Sequence, residues 1–149
     1  MTVRRYVRMQ ATVAGAVNFV VNPAIEWLSS RHRAPQPVWG FDGLVLNFVI
    51  TSLILSTLVG LFVSLGARSL DDDGTVSPRP WLRRLSRHGW LAGLALGAVA
   101  AVAAIAASWM AHAAGVTTVS LPSLLAVKAV YCGLLGFLVA RWVILRTWA

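Results

Sequence analysis

The sequence predicts an all-α integral membrane protein, an antiparallel bundle of four transmembrane helices, and three observations carry that prediction. Hydrophobic residues make up 58% of the 149 positions without counting glycine, against roughly 45–50% with glycine in soluble domains. Charged residues are 12%, about half the usual ~25%. Four apolar runs of about twenty residues, each long enough to cross ~30 Å of hydrocarbon as a helix, alternate with short polar connections. The mean hydropathy of +0.72 is more than a soluble core of this size buries. The excess therefore faces lipid, and the length suits a single membrane domain spanning residues 1–149.

The first run covers about residues 9–28, the second 44–67, the third 90–111 and the fourth 121–143. Backbone groups in hydrocarbon must pair internally, which leaves helices or a closed barrel. The runs lack period-2 alternation, and the third, "LAGLALGAVAAVAAIAASWM", is rich in helix formers. Helices are therefore expected. The basic segment "VRRYVR" could precede a cleaved signal, but no A-x-A site follows and Trp27-Leu28 occupies the cleavage zone, so the first run reads as a retained span.

Orientation follows from the arginines. Ten of the thirteen basic residues lie at the N-terminus (Arg4, Arg5, Arg8), in the connection 68–89 (Arg68, Arg79, Arg83, Arg84, Arg87) or at the C-terminal end (Arg141, Arg146). The opposite side holds only Arg31 and Arg33. The positive-inside rule puts both termini and the long connection in the cytoplasm of a cell-membrane protein. Tryptophans sit near both ends of the runs, as an aromatic belt requires.

Within the connection, "DDDGTVSPRP" reads as a solvated linker. "WLRRLSRH" reads as a short cytoplasmic interfacial helix between the second and third spans. Trp81 would face acyl chains, and Arg83, Arg84 and Arg87 would face anionic headgroups. The net charge of +8 is thus topogenic, and nucleic acid is not an expected partner. Cys132 stands alone, and His32, His88 and His112 lack metal-ligand spacing. No metal, cofactor or catalytic site is expected, since Walker loops, G-x-S-x-G and paired carboxylates within a span are all missing.

The polar residues inside the runs are the informative ones. Asn18, Asn22 and Glu26 recur every four residues on one stripe of the first helix, and a polar stripe belongs inside the bundle. Pro23 lacks an amide donor and crowds the carbonyl of Phe19, which predicts a kink there. Lys128, the chain's single lysine, lies seven residues into the fourth run, roughly 10 Å below the outer boundary. Glu26 is only about 3 Å deep on the same count, and a lysine stem can snorkel across much of the difference. Asn47 and Thr51, spaced i, i+4, bring the second helix to that level. The expected site is a polar cluster in the outer half of the bundle, with Lys128 near Glu26 and Asn22. It serves either as interhelical glue or as a substrate or ion site.

Small residues form a second pattern. Gly89, Gly93, Gly97 and Ala101 repeat every four residues on the third helix, and Gly133 and Gly136 mark small faces of the fourth. Such faces allow close helix packing, expected here between the third and fourth helices, with homodimerisation as the other use. The size and four-span layout resemble the small multidrug resistance transporters, which carry a membrane-embedded glutamate in their first helix and work as dimers. Glu26 lies nearer the end of its span than that family's glutamate, so the resemblance is one of layout. Two functions are therefore expected: a non-enzymatic accessory or scaffold subunit of a heteromeric membrane assembly, or a small, dimeric transporter using the polar cluster.

Overall fold

Four long helices and one short pair of strands account for the ordered secondary structure in a computed structural model that describes residues 3–32, 35–40, 43–71 and 89–148. They are α1 (Val3–Ser30), β1 (Gln36–Pro37), α2 (Leu44–Asp71), α3 (Gly89–Ala113), β2 (Thr118–Val119) and α4 (Leu121–Trp148). The helices coincide with the four apolar runs and extend past them. Three helices are long and apolar enough to cross a membrane, over Leu44–Leu65, Gly89–Ala113 and Leu121–Arg146. At 28 residues α1 is as long as α2 and α4, but its asparagines and Glu26 make it less apolar. It runs unbroken through Pro23. The expected surface helix with Trp81, Arg83, Arg84 and Arg87 lies outside the described residues.

The helices pack as two antiparallel pairs, α1 with α4 and α2 with α3, joined where α2 touches α4. This corrects the expected pairing of the third and fourth helices: α3 and α4 meet only sparsely. The small face of α3 is used, but against α2. A Cβ on Gly97 would sit 2.8 Å from the carbonyl oxygen of Ser52, and one on Gly93 would collide with that of Ser56. Residues 52, 56, 60 and 64 of α2 are Ser, Ser, Gly and Ser, a four-residue repeat that matches the one on α3. Two small stripes thus face each other and let the backbones touch. The α4 stripe meets α1 in the same way, since a Cβ on Gly136 would lie 3.0 Å from the carbonyl of Ala14, and one on Gly15 3.1 Å from that of Gly133.

Two apolar clusters fill the interior. One joins Ala11 of α1 and Leu55 and Val59 of α2 to Cys132, Leu135 and Val139 of α4. The other, Val38, Leu44, Phe48, Ala104 and Leu124, lies beneath the connections at one end of the bundle. There β1 and β2 pair antiparallel, with Gln36 opposite Val119 and Pro37 opposite Thr118. The Val38 amide donates to the Thr117 carbonyl at 3.0 Å, and the Trp39 ring stacks on His112. These contacts tie the α1–α2 connection to the α3–α4 connection, a link that no motif in the sequence announced.

The α2–α3 seam makes Gly93 sensitive to bulk. Gly93→Leu should lower stability by about 1–3 kcal/mol, the usual cost of overpacking. Ala98→Leu, on the exposed face of the same helix, should stay within about 0.5 kcal/mol of the parent. Thermal unfolding in mild detergent, followed by circular dichroism, checks both.

Candidate functional site

Lys128 and Glu26 are both about 5% exposed, so neither charge faces lipid. Glu26 lies one turn before the end of α1 and Lys128 two turns into α4, and the antiparallel packing of these helices brings them together. The Lys128 ammonium donates to Glu26 Oε2 at 2.5 Å and to Asn47 Oδ1 at 2.6 Å. The Asn47 amide nitrogen donates to the same carboxylate oxygen at 2.9 Å. On Glu26's other oxygen, Oε1, the Ser30 hydroxyl donates at 2.6 Å.

Asn47 is matched to this place because its two ends have opposite polarity. Its carbonyl faces the ammonium and its N–H faces the carboxylate, so one neutral side chain from α2 satisfies both ions. The Thr51 hydroxyl completes the α2 side by donating to Asn47 Oδ1 at 3.3 Å. Ion pairs removed from water repay their desolvation only when further hydrogen bonds saturate them, and this one has such bonds from Ser30 of α1 and Asn47 of α2. The expected grouping of Lys128, Glu26, Asn47 and Thr51 is therefore present.

The asparagines of α1 behave differently. Asn22 Nδ2 donates to Asn18 Oδ1 at 3.0 Å, and Asn18 Nδ2 to the Ala14 carbonyl at 2.7 Å. They form a ladder along their own helix, with Asn18 lying against Gly136. Among the described residues no hydrogen bond joins this ladder to Lys128, which corrects the expected contact of Asn22 with the lysine. The reason is geometric: Glu26 occupies the lysine's end of the stripe, and Asn22 finds a partner one turn back.

Two polar residues outside the expected set also tie helices together. The Tyr131 hydroxyl lies 2.6 Å from the Ser52 hydroxyl and donates to the Ala100 carbonyl at 3.1 Å, linking α4, α2 and α3. Its ring packs edge-on against Phe48. A tyrosine in mid-span, one turn after Lys128, was the available signal. At the strand end, the Gln36 amide donates to the Ser30 hydroxyl at 3.2 Å and extends the Glu26 network toward the surface.

Cavities of about 150, 260 and 420 Å³ lie among the described residues, and none of these three is walled by Lys128, Glu26 or Asn47. A small one of about 150 Å³ stops at Ser30, Gln36 and Leu124. Another, of about 260 Å³, opens between α1 and α2 beside Gln10 and Asn18. The largest, of about 420 Å³, lies between α3 and α4. Among the described residues no three His, Cys, Asp or Glu side chains converge as a metal site requires. No protein-family model, curated protein or solved structure matches the chain, so the geometry itself has to carry any functional argument.

The pair should respond to substitution as a unit. Lys128→Met alone should cost about 3–5 kcal/mol, because it strands a buried carboxylate. Adding Glu26→Gln should recover part of that loss, and Asn22→Leu should cost nearer 0.6 kcal/mol, as is typical of a single intramembrane hydrogen bond. A double-mutant cycle on unfolding in detergent reads all three.

Proposed function

We propose that this chain is a four-span integral membrane protein that acts as a non-enzymatic accessory or scaffold subunit of a membrane assembly. The observation that carries the structural role is the buried Lys128–Glu26–Asn47 cluster, in which the two charges pair with each other and Asn47 bonds to both. A transport site would need such groups to meet a substrate or water. Here they join α1, α2 and α4 to one another.

The fourth span is supported by packing. Helix α1 runs beside α4 from Ala11, which shares a core cluster with Val139 and Val143, to Glu26 at Lys128, so a bilayer crossed by α4 also surrounds α1. Residues on its outer face, including Val13, Val20, Ile25 and Leu28, are exposed and apolar, as lipid contact requires. The arginine distribution supports cytoplasmic termini in the cell membrane, with anionic headgroups as partners of the connection 72–88.

A second reading, a small transporter and possibly a dimeric one, rests on one feature. The 150 Å³ cavity ends at Ser30, a single hydrogen bond from Glu26. If water or a substrate passed Ser30, the ion pair would be the next group met.

Cysteine labelling tests the topology, and the native Cys132 is buried and so silent to polar reagents. A membrane-impermeant maleimide should label His32→Cys and Thr117→Cys in intact cells, and Ser86→Cys only after permeabilisation. Labelling of all three from one side would refute the four-span reading. For function, mild-detergent purification should yield a heteromeric complex of fixed stoichiometry, and vesicles holding the chain should leak no faster than empty ones. A solute or proton flux abolished by Lys128→Met would instead establish the transporter.

A further inference from the structure

The cavity of about 420 Å³ is unused by anything described so far. It lies between α3 and α4 at the strand-paired end and has an almost wholly apolar lining. It exists because α3 packs on α2 rather than on α4, so the two helices splay apart below their connection. Its wall on α3 is mostly alanine, at 103, 104, 107 and 111, with Ser108 the exception; Val127 and Tyr131 face it from α4. Ala103, Ala107 and Val127 are exposed at its mouth, whereas Phe48 and Leu124 at its back are buried.

Both ends of the cleft are closed. Val38 and Val119, held by the strand pair, roof it. Tyr131, bonded across to the Ala100 carbonyl of α3, floors it. The opening covers residues 103–111 of α3, about 12 Å at 1.5 Å per residue. That is too short for a spanning helix of about 10 Å diameter, which would have to pass both closures. The volume lies within the roughly 300–1,000 Å³ of small-molecule sites. The Tyr131 hydroxyl is already engaged, which leaves Ser108 as the polar side chain facing an occupant, so a polar or charged ligand would lose its hydration without replacement. The cleft opens sideways on two helices that are apolar enough to span a bilayer.

We propose that this cleft is a binding site for one acyl chain of a membrane phospholipid, inserted sideways from the leaflet next to the paired connections. The proposal rests on α3 and α4 lying in a bilayer and is independent of which face is cytoplasmic. The chain fills the gap that the α2–α3 seam leaves beside α4, and Tyr131 sets how deeply it enters. Its headgroup stays outside at the level of Val116 and Trp109, both of which are exposed.

The test uses the full chain reconstituted in vesicles of phosphatidylcholine and phosphatidylglycerol, with a trace of phosphatidylcholine carrying a mid-chain diazirine. After irradiation, adducts are mapped by mass spectrometry. Ala103, Ala107 and Val127 should carry at least threefold more adduct than Val102 and Val130, which are exposed at the same depth but face away from the cleft. Ala107→Trp should abolish the excess at Val127 without changing Val102 or Val130, and Ala106→Trp, outside the cleft, should not. Val127→Phe blocks the same space from α4 and should abolish the excess at Ala103, which keeps the test decisive if Ala107→Trp does not fold. Equal yields at all exposed positions, or an excess that survives both blocking variants, would overturn the proposal. Sidedness labelling at His32, Thr117 and Ser86 stays readable in every case, so failure of the lipid site is separable from failure of the four-span reading.

Discussion

A single ammonium buried away from water constrains this bundle more than any other group. Lys128 can remain charged inside an apolar protein only if an anion and further polar atoms lie within hydrogen-bonding reach. Glu26 and Asn47 satisfy that condition, and they come from helices far apart in sequence. The demand of one charge therefore fixes the relative height of α1, α2 and α4. A slip of one helix by a turn, about 5.4 Å, would break every cross-helix bond in the cluster. Asn47 is central because its amide presents opposite polarity to the two ions, so α2 is held without a charge of its own.

Against that fixed point the small-residue seams act as a second, undirected constraint. Within lipid there is little hydrophobic drive to bring helices together, and close backbone approach supplies dispersion contact instead. Two seams form, α2 on α3 between stripes that repeat every four residues, and α1 on α4 where Ala14 and Gly15 meet Gly136 and Gly133. Tyr131 links the pairs by bonding to Ser52 and to the Ala100 carbonyl. The paired connections close one end. Pairing α3 with α2 leaves α3 and α4 splayed apart, so the cavity between them is a by-product of the tightest seam.

Where the polar groups find their partners separates the two proposed roles. Polar side chains inside a membrane protein suggest transport when they line a path for water, and suggest architecture when they consume one another's hydrogen bonds. The Lys128 cluster consumes its own hydrogen bonds in this way, which supports the scaffold role proposed for it, whereas Asn18 of the Asn18–Asn22 ladder also borders the cavity between α1 and α2. The broadest surfaces the described residues offer are apolar: an aliphatic exterior and the cleft between α3 and α4.

The sequence by itself determined the helical class, the places of the four helices and the identity of the buried lysine's anion. These follow from local physics: apolar length, period 3.6, and the cost of leaving a charge in hydrocarbon. It also singled out the small stripe on α3 as a packing face. Only tertiary structure decided that face's partner, because α2 and α4 both carry small stripes and local pattern does not rank them; the matching Ser52–Ser64 repeat went unread because serine registers as polar. Tertiary structure also decided that Asn22 bonds to Asn18 rather than to Lys128, since the height at which Glu26 meets the lysine leaves Asn22 one turn away from it. The strand pairing of the two connections and the cleft beneath it are likewise consequences of assembly, and neither leaves a periodic trace in the chain.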